Sequence, residues 1–276
     1  MSQGLRRISY YFLCALPFLD LAVAAARPLR SPGVYQVFGI VLFAAVVIAA
    51  SSVGVRVIGV KDAGARKLAL AGALLILPWG LISLLWVGIG APFQATLQEN
   101  YMRYLVLTWS SILVTSAFVV LKDALYDGGE RFYSTIAFAA ALAAGATYLT
   151  CLNVSLAAVG MALGGDKTPL PAILGHLYSA LEFIACVMTY VTTAVFATAL
   201  GRARFLGRGA TLAYATASAI LVLLLVMRGL EFPEISGNTA PWYTRPGVIA
   251  GIPAIPWIMP GLLGAVLLRR AGDGAS

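Results

Sequence analysis

The sequence predicts an all-α integral membrane protein: a polytopic transmembrane bundle of about eight helices with both termini in the cytoplasm. Of its 276 residues, 61% are hydrophobic and 11% are charged, and that charged share is less than half of the roughly 25% found in soluble domains. The charges are also segregated, since residues 68–98, 132–165 and 246–268 contain none. Apolar runs of about 20 residues are long enough to cross the hydrocarbon core as helices.

Eight apolar runs lie between charged or turn-rich breaks, and they define the predicted spans. In chain order these are 8–26, 34–55, 68–91, 104–121, 135–163, 170–200, 209–228 and 246–268. The first span also resembles a signal peptide, because Arg6 and Arg7 precede an apolar stretch that ends in three alanines, 24–26. Asp20 weakens that alternative, in which cleavage would leave seven helices.

The eighth span is predicted to be a broken helix. It contains Pro246, Pro253, Pro256 and Pro260. An interior proline removes one backbone hydrogen bond and clashes with the preceding turn. We therefore expect an interruption between Gly251 and Pro260, where freed carbonyl groups need partners in protein or in a water-filled cavity. A kink that serves packing alone is the alternative.

The distribution of lysine and arginine predicts the orientation. With the N-terminus inside, 13 of the 19 basic residues fall on the cytoplasmic side, as the positive-inside rule requires. We interpret the net charge of +8 as topology and contact with anionic membrane lipid. No basic run interleaved with aromatic residues indicates nucleic-acid binding. The expected location is the cell (inner) membrane.

The chain is predicted to be a single membrane domain, 1–276, because its longest connections, near 122–134 and 229–245, are too short to fold alone. A weak internal similarity between 19–25 and 152–158 suggests a parallel repeat of four plus four helices, 1–131 and 132–276. Coincidence in a sequence rich in alanine and leucine is the alternative.

Several chemistries are excluded by what the spans lack. All four lysines fall in loops or at predicted helix ends, so no lysine is placed for a retinal-type Schiff base. His176 is the only histidine, which excludes bis-histidine haem and multi-histidine zinc sites within one chain. We expect neither a cofactor nor a bound metal.

The candidate site residues are the ionisable and polar residues inside spans. Glu182 lies about 18 Å into helix 6 and Asp20 about 10 Å below the outer boundary, at about 1.5 Å per residue. A charge at the bilayer centre costs about 2.5–3.5 kcal/mol, so intramembrane carboxyl groups tend to be functional. For Asp20, reaching the outer interface or pairing with Arg27 is the alternative. Arg228 is expected to form an ordinary i,i+3 pair with Glu231.

Helix 6 carries a polar stripe at four-residue spacing: Tyr178, Glu182, Cys186 and Tyr190. Polar stripes in lipid are expected to turn inward, and this one offers hydrogen bonds but no cation. Asn153 lies on a similar stripe of helix 5, and His176 lies about two turns before Glu182. The predicted ligand-binding residues are Glu182, Asp20, Asn153, His176 and Tyr178, although a lone histidine near a helix end is more often structural.

Three functional classes fit these observations. The first is a transporter or ligand-binding protein for a small molecule or ion, with an outward-facing polar cavity and Glu182 as its protonatable or cation-binding group. The second is a non-catalytic subunit or assembly factor with a membrane protein partner, for which Trp79 and Trp86 would be contact surfaces. The third is an intramembrane enzyme on a lipid-like substrate, which lacks a recognisable nucleophile–base pair. No motif identifies a family.

Overall fold

The fold is all-α. A computed structural model describes residues 3–26, 32–85, 95–166, 172–230 and 247–274, and among them it contains no β-strand. The eight predicted helices are confirmed in this part of the chain. They are α1 (Gln3–Ala26), α2 (Pro32–Val53), α3 (Ala63–Leu85), α4 (Leu97–Asp127), α5 (Phe132–Leu163), α6 (Ala172–Arg202), α7 (Arg208–Arg228) and α8 (Ile258–Gly274).

Six of these helices, α2 to α7, are long and apolar enough to cross a membrane, counted over the described residues. The chain is therefore a multi-pass integral membrane protein. The α-helical part of α8 has 17 residues, and α1 carries Arg6, Arg7 and Asp20. The side on which the termini lie stays a prediction.

Helix α4 is longer than its apolar run. It has 31 residues, or about 46 Å at 1.5 Å per residue, and so extends beyond a hydrocarbon core of about 30 Å. A capping box starts it, in which the Thr96 side chain accepts from the Glu99 backbone N–H and the Glu99 carboxylate accepts from the Thr96 N–H. At its other end the helix runs to Asp127, so the connection predicted at 122–134 is only the turn before Phe132.

The described residues fall into two compact units. Unit 1 comprises Met1–Gly128 and Pro260–Ser276, and its strongest helix pairing is α3 with α4. Helices α3 and α8 approach closely through glycines, because a β-carbon on Gly72 would lie 2.8 Å from the Gly264 carbonyl oxygen and one on Gly264 would lie 2.9 Å from that of Gly72. Such small-residue contacts replace the hydrophobic driving force that lipid-embedded helices lack.

Unit 2 comprises Gly129–Met259, in which α6 packs against both α5 and α7. The unit also contains the predicted interruption, which is confirmed. Residues 247–257 form turns and two short 3₁₀ segments, Ile249–Gly251 and Ile255–Trp257, and the α-helix begins only at Ile258. Pro246 lies outside the described residues. The parallel repeat of 1–131 and 132–276 stays a prediction.

Candidate functional site

Glu182 lies in the interior of unit 2. Its side chain is 2% exposed, and Cys186 and Tyr190, one and two turns further along α6, are fully buried. This face of α6 therefore turns inward, as its polar stripe predicts. Tyr178, at the outer end of the stripe, is only partly buried. The buried part of the α6 stripe is thus Glu182, Cys186 and Tyr190.

The irregular segment 247–257 packs against this face of α6. Gly247 starts it with a φ of +78°, and a β-carbon there would collide with the carbonyl of Leu224, so both conformation and space require glycine. Tyr190 Oη donates a hydrogen bond of 2.9 Å to the carbonyl of Ala250. Cys186 Sγ lies 3.7 Å from the carbonyl of Gly251, to which it donates.

A tyrosine from α5 completes the contacts of the broken segment. Tyr148 is almost fully buried, and its hydroxyl donates to the carbonyl of Pro253 at 3.2 Å. Its ring packs on Trp257 with 5.1 Å between centroids. Three carbonyl groups of the segment are therefore bound by side chains of α5 and α6. The expectation that such carbonyls need partners is met here by protein groups.

Arg228 supplies the cation that the α6 stripe lacks. It ends α7, its Nε donates to the carbonyl of Gly229 at 3.4 Å, and a β-carbon on Gly251 would collide with its guanidinium. The positive charge of Arg228 acts on the Glu182 carboxyl group. The α6 stripe itself offers no cation, as expected, and the positive charge comes from Arg228 on α7. Glu231, the expected partner of Arg228, lies outside the described residues.

Asn153 and His176 are not gathered around Glu182 in the interior of unit 2, because both side chains are exposed. Asn153 follows Thr147 and Thr150 on α5, whose hydroxyls donate to the carbonyls of Ala143 at 2.7 Å and Ala146 at 2.9 Å in the same helix. Hydroxyl groups that bond to their own helix need no inward-facing partner. This explains why the α5 stripe does not turn inward as a whole.

Asp20 lies in unit 1 and is 1% exposed. The Ser83 hydroxyl lies 2.9 and 3.1 Å from its two carboxyl oxygens and 2.8 Å from the carbonyl of Trp79. Asp20 is thus held against α3 and does not reach the outer interface. Arg27, its other expected partner, lies outside the described residues.

Two further expectations concern tryptophans and metal ligands. Trp79 is fully buried and lies against Gly261 of α8, so its expected role as a partner-contact surface is wrong. Trp86 lies outside the described residues. Within the part of the chain that the structure describes, no group of three His, Cys, Asp or Glu side chains is arranged to hold a metal ion.

No protein-family model matches the chain, and no curated protein or solved structure shows significant similarity to it.

Proposed function

We propose that this protein is a membrane transporter or ligand-binding protein for a small molecule or ion, with Glu182 as the group that takes a proton or a cation. The observation that carries the proposal is the state of the Glu182 carboxyl group. The Glu182 side chain is only 2% exposed, within a helix long and apolar enough to cross a membrane. Ionisable groups inside membrane-spanning helices are costly and mark ion and substrate pathways, so we assign the proton or cation to this carboxyl group.

The surroundings of Glu182 support this role. Irregular backbone is tolerated at membrane depth only where protein or a water-filled cavity covers it, and broken helices are where transporters bind substrates and coupling ions. The irregular segment 247–257 contacts the α6 face of Glu182 through Cys186 and Tyr190. A buried carboxyl group and a broken helix thus occur together in unit 2.

Arg228 provides a way to couple binding to movement. Its charge attracts the ionised Glu182 carboxylate, and its guanidinium lies against Gly251 of the broken segment. A proton or cation on Glu182 would cancel most of this attraction. A ligand shifts a conformational equilibrium only as far as its affinities for the two conformations differ. We expect the change in the Glu182–Arg228 attraction on ligand binding to supply that difference and to move segment 247–257.

A flux measurement with Glu182→Gln tests the proposal. Purified protein in liposomes loaded with a pH-sensitive dye would be exposed to imposed H⁺, Na⁺ and K⁺ gradients. We expect the wild type to change the internal pH under at least one gradient. Glu182→Gln should change it at least about tenfold more slowly, because the amide keeps the shape of the side chain and removes its charge. Glu99→Gln is the matched control, since glutamine also serves in a capping box.

The same variants separate this proposal from a second candidate, a non-catalytic subunit or assembly factor. That candidate is favoured by the three carbonyls of segment 247–257 that side chains already bind. If Glu182 only pairs with Arg228, Glu182→Gln leaves a buried cation unpaired and costs about 3–5 kcal/mol of stability. If Glu182→Gln melts early and the wild type shows no flux, the result favours the non-catalytic subunit or assembly factor. If Glu182→Gln is stable and its flux equals that of the wild type, the proposed role of Glu182 is contradicted.

The basic bias of the chain suits a membrane whose cytoplasmic leaflet is anionic. We propose the cell (inner) membrane as its location.

A further inference from the structure

A cleft lies where the N-terminal part of α1 meets the C-terminal part of α8, both within unit 1. It has a volume of about 450 Å³. The side chains that matter for its chemistry are Arg6, Arg7, Tyr10, Tyr11, Arg269 and Asp273. We refer to it as the arginine cleft. Three arginines against one aspartate leave it with a net positive charge of two.

The three arginines of the cleft have different roles. Arg6 is structural: it donates to the carbonyls of Val53 at 3.3 Å and Arg269 at 3.0 Å, and it forms an ion pair of 3.0 Å with Asp273. It thereby ties α1 to the end of α8 and uses the charge of Asp273.

Arg7 and Arg269 are held differently, by tyrosine rings. Arg7 lies 5.7 Å from the ring centroid of Tyr11, and Arg269 lies 4.9 Å from that of Tyr10. The Arg269 contact with Asp273 is long, at 3.9 Å. Both side chains are exposed. Both guanidinium groups thus lie beside tyrosine rings at an exposed surface, and their forked N–H donors suit a planar or tetrahedral oxyanion.

The surface beside the arginine cleft is apolar. Leu5, Ile8 and Tyr11 follow one another at three-residue spacing on α1, and all three are exposed, Ile8 at 69%. Arginines beside tyrosines and aliphatic side chains are typical of the membrane interface. The basic-residue bias assigns this end of the unit to the cytoplasmic side, where anionic lipids concentrate.

We propose that the arginine cleft binds the phosphate group of an anionic phospholipid. Arg7 and Arg269 bind the phosphate oxygens, while Leu5 and Ile8 lie beside the acyl chains. Phosphate is the shared chemistry, so a soluble phosphate ester is the other source of the same group. The site is independent of Glu182, and a failure of the proposed transport function leaves it unaffected.

Ligand-dependent stabilisation in detergent distinguishes the sources. The probes are phosphatidylglycerol, phosphatidylcholine and glycerol 3-phosphate, each titrated while the melting temperature is followed, with native mass spectrometry to count bound lipid. We expect phosphatidylglycerol to stabilise the wild type at concentrations where phosphatidylcholine does not. The double variant Arg7→Gln, Arg269→Gln should bind it about 25-fold more weakly, at about fivefold for each arginine.

Arg270→Gln is the matched control, because Arg270 is exposed, adjacent to Arg269 and does not line the cleft. Arg6 is left intact because it holds α1 and α8 together. An equal loss in the control, or equal binding by the wild type and the double variant, would overturn the site. Stabilisation by glycerol 3-phosphate that depends on Arg7 and Arg269, without any by phosphatidylglycerol, would keep the phosphate site and overturn its assignment to lipid.

Discussion

The hydrogen atoms available at Asp20 restrict the state of its carboxyl group. One serine hydroxyl has one hydrogen, yet the Ser83 oxygen lies within 3.1 Å of both Asp20 oxygens and of the Trp79 carbonyl. If Ser83 donates to Trp79, the Asp20 contact requires a hydrogen on the carboxyl group. We therefore expect Asp20 to be protonated and to donate to Ser83 Oγ, while Ser83 donates to the Trp79 carbonyl.

This arrangement predicts that substitutions of Asp20 and Ser83 change the free energy of unfolding to different extents. Asp20→Asn should stay within about 1 kcal/mol of the wild type in free energy of unfolding, because an amide N–H replaces the carboxyl hydrogen. Ser83→Ala should lose about 1–3 kcal/mol, because it leaves a buried polar group without its partner. Reversible unfolding in mixed detergent micelles measures both.

Ser116→Ala, an exposed serine on α4, is the control for Ser83→Ala and should change stability by less than about 0.5 kcal/mol. A strongly destabilised Asp20→Asn beside a neutral Ser83→Ala would mean that the carboxylate is ionised and that its charge is required.

Among the elements, the broken segment 247–257 accepts hydrogen bonds from tyrosine hydroxyls of two neighbouring helices. Tyr190→Phe and Tyr148→Phe each keep the ring and remove one donor to a buried carbonyl. We expect each to lower the free energy of unfolding by about 1–3 kcal/mol. The double variant should lose less than the sum, because the carbonyls of Ala250 and Pro253 move with one segment.

Tyr11→Phe, at a 54% exposed tyrosine, is the control for the loss of a hydroxyl group and should leave stability unchanged. Two neutral variants, with hydrogen exchange in 247–257 as in the wild type, would show that these hydrogen bonds do not hold the segment.

The sequence predicted the elements better than their contacts. The interruption before α8 was predictable because proline acts locally, whatever surrounds it. The full length of α4 does not follow from apolar content, which predicts a span of 104–121, whereas the Thr96–Glu99 capping box marks where the helix starts. The contact between the Arg228 guanidinium and Gly251 is not predictable in this way. The two residues lie on different elements, and helix periodicity carries no information about a contact between elements.

For the molecule as a whole, contacts within each unit join residues that the sequence assigns to the same side of the membrane. In unit 1, Arg6 pairs with Asp273 at 3.0 Å and Lys67 with Asp127 at 2.6 Å. In unit 2, Arg202 pairs with Glu130 at 3.0 Å. Every one of these residues belongs to the predicted cytoplasmic side, so the order of inner and outer helix ends is self-consistent within each unit.

The same ion pairs would form if the protein were inserted the other way round. Reporter fusions determine which helix ends face the cytoplasm. Green fluorescent protein after Ser276 should fluoresce, and alkaline phosphatase inserted between Glu234 and Ala240 should be active, because the first reporter works inside and the second outside. The turn at Gly128 and Gly129 is the internal control, where only the fluorescent reporter should work. Exchanging the two reporters between sites should abolish both signals. Phosphatase activity after Ser276 together with fluorescence from the 234–240 insertion would show that the 13 basic residues face outward and that the predicted orientation is inverted.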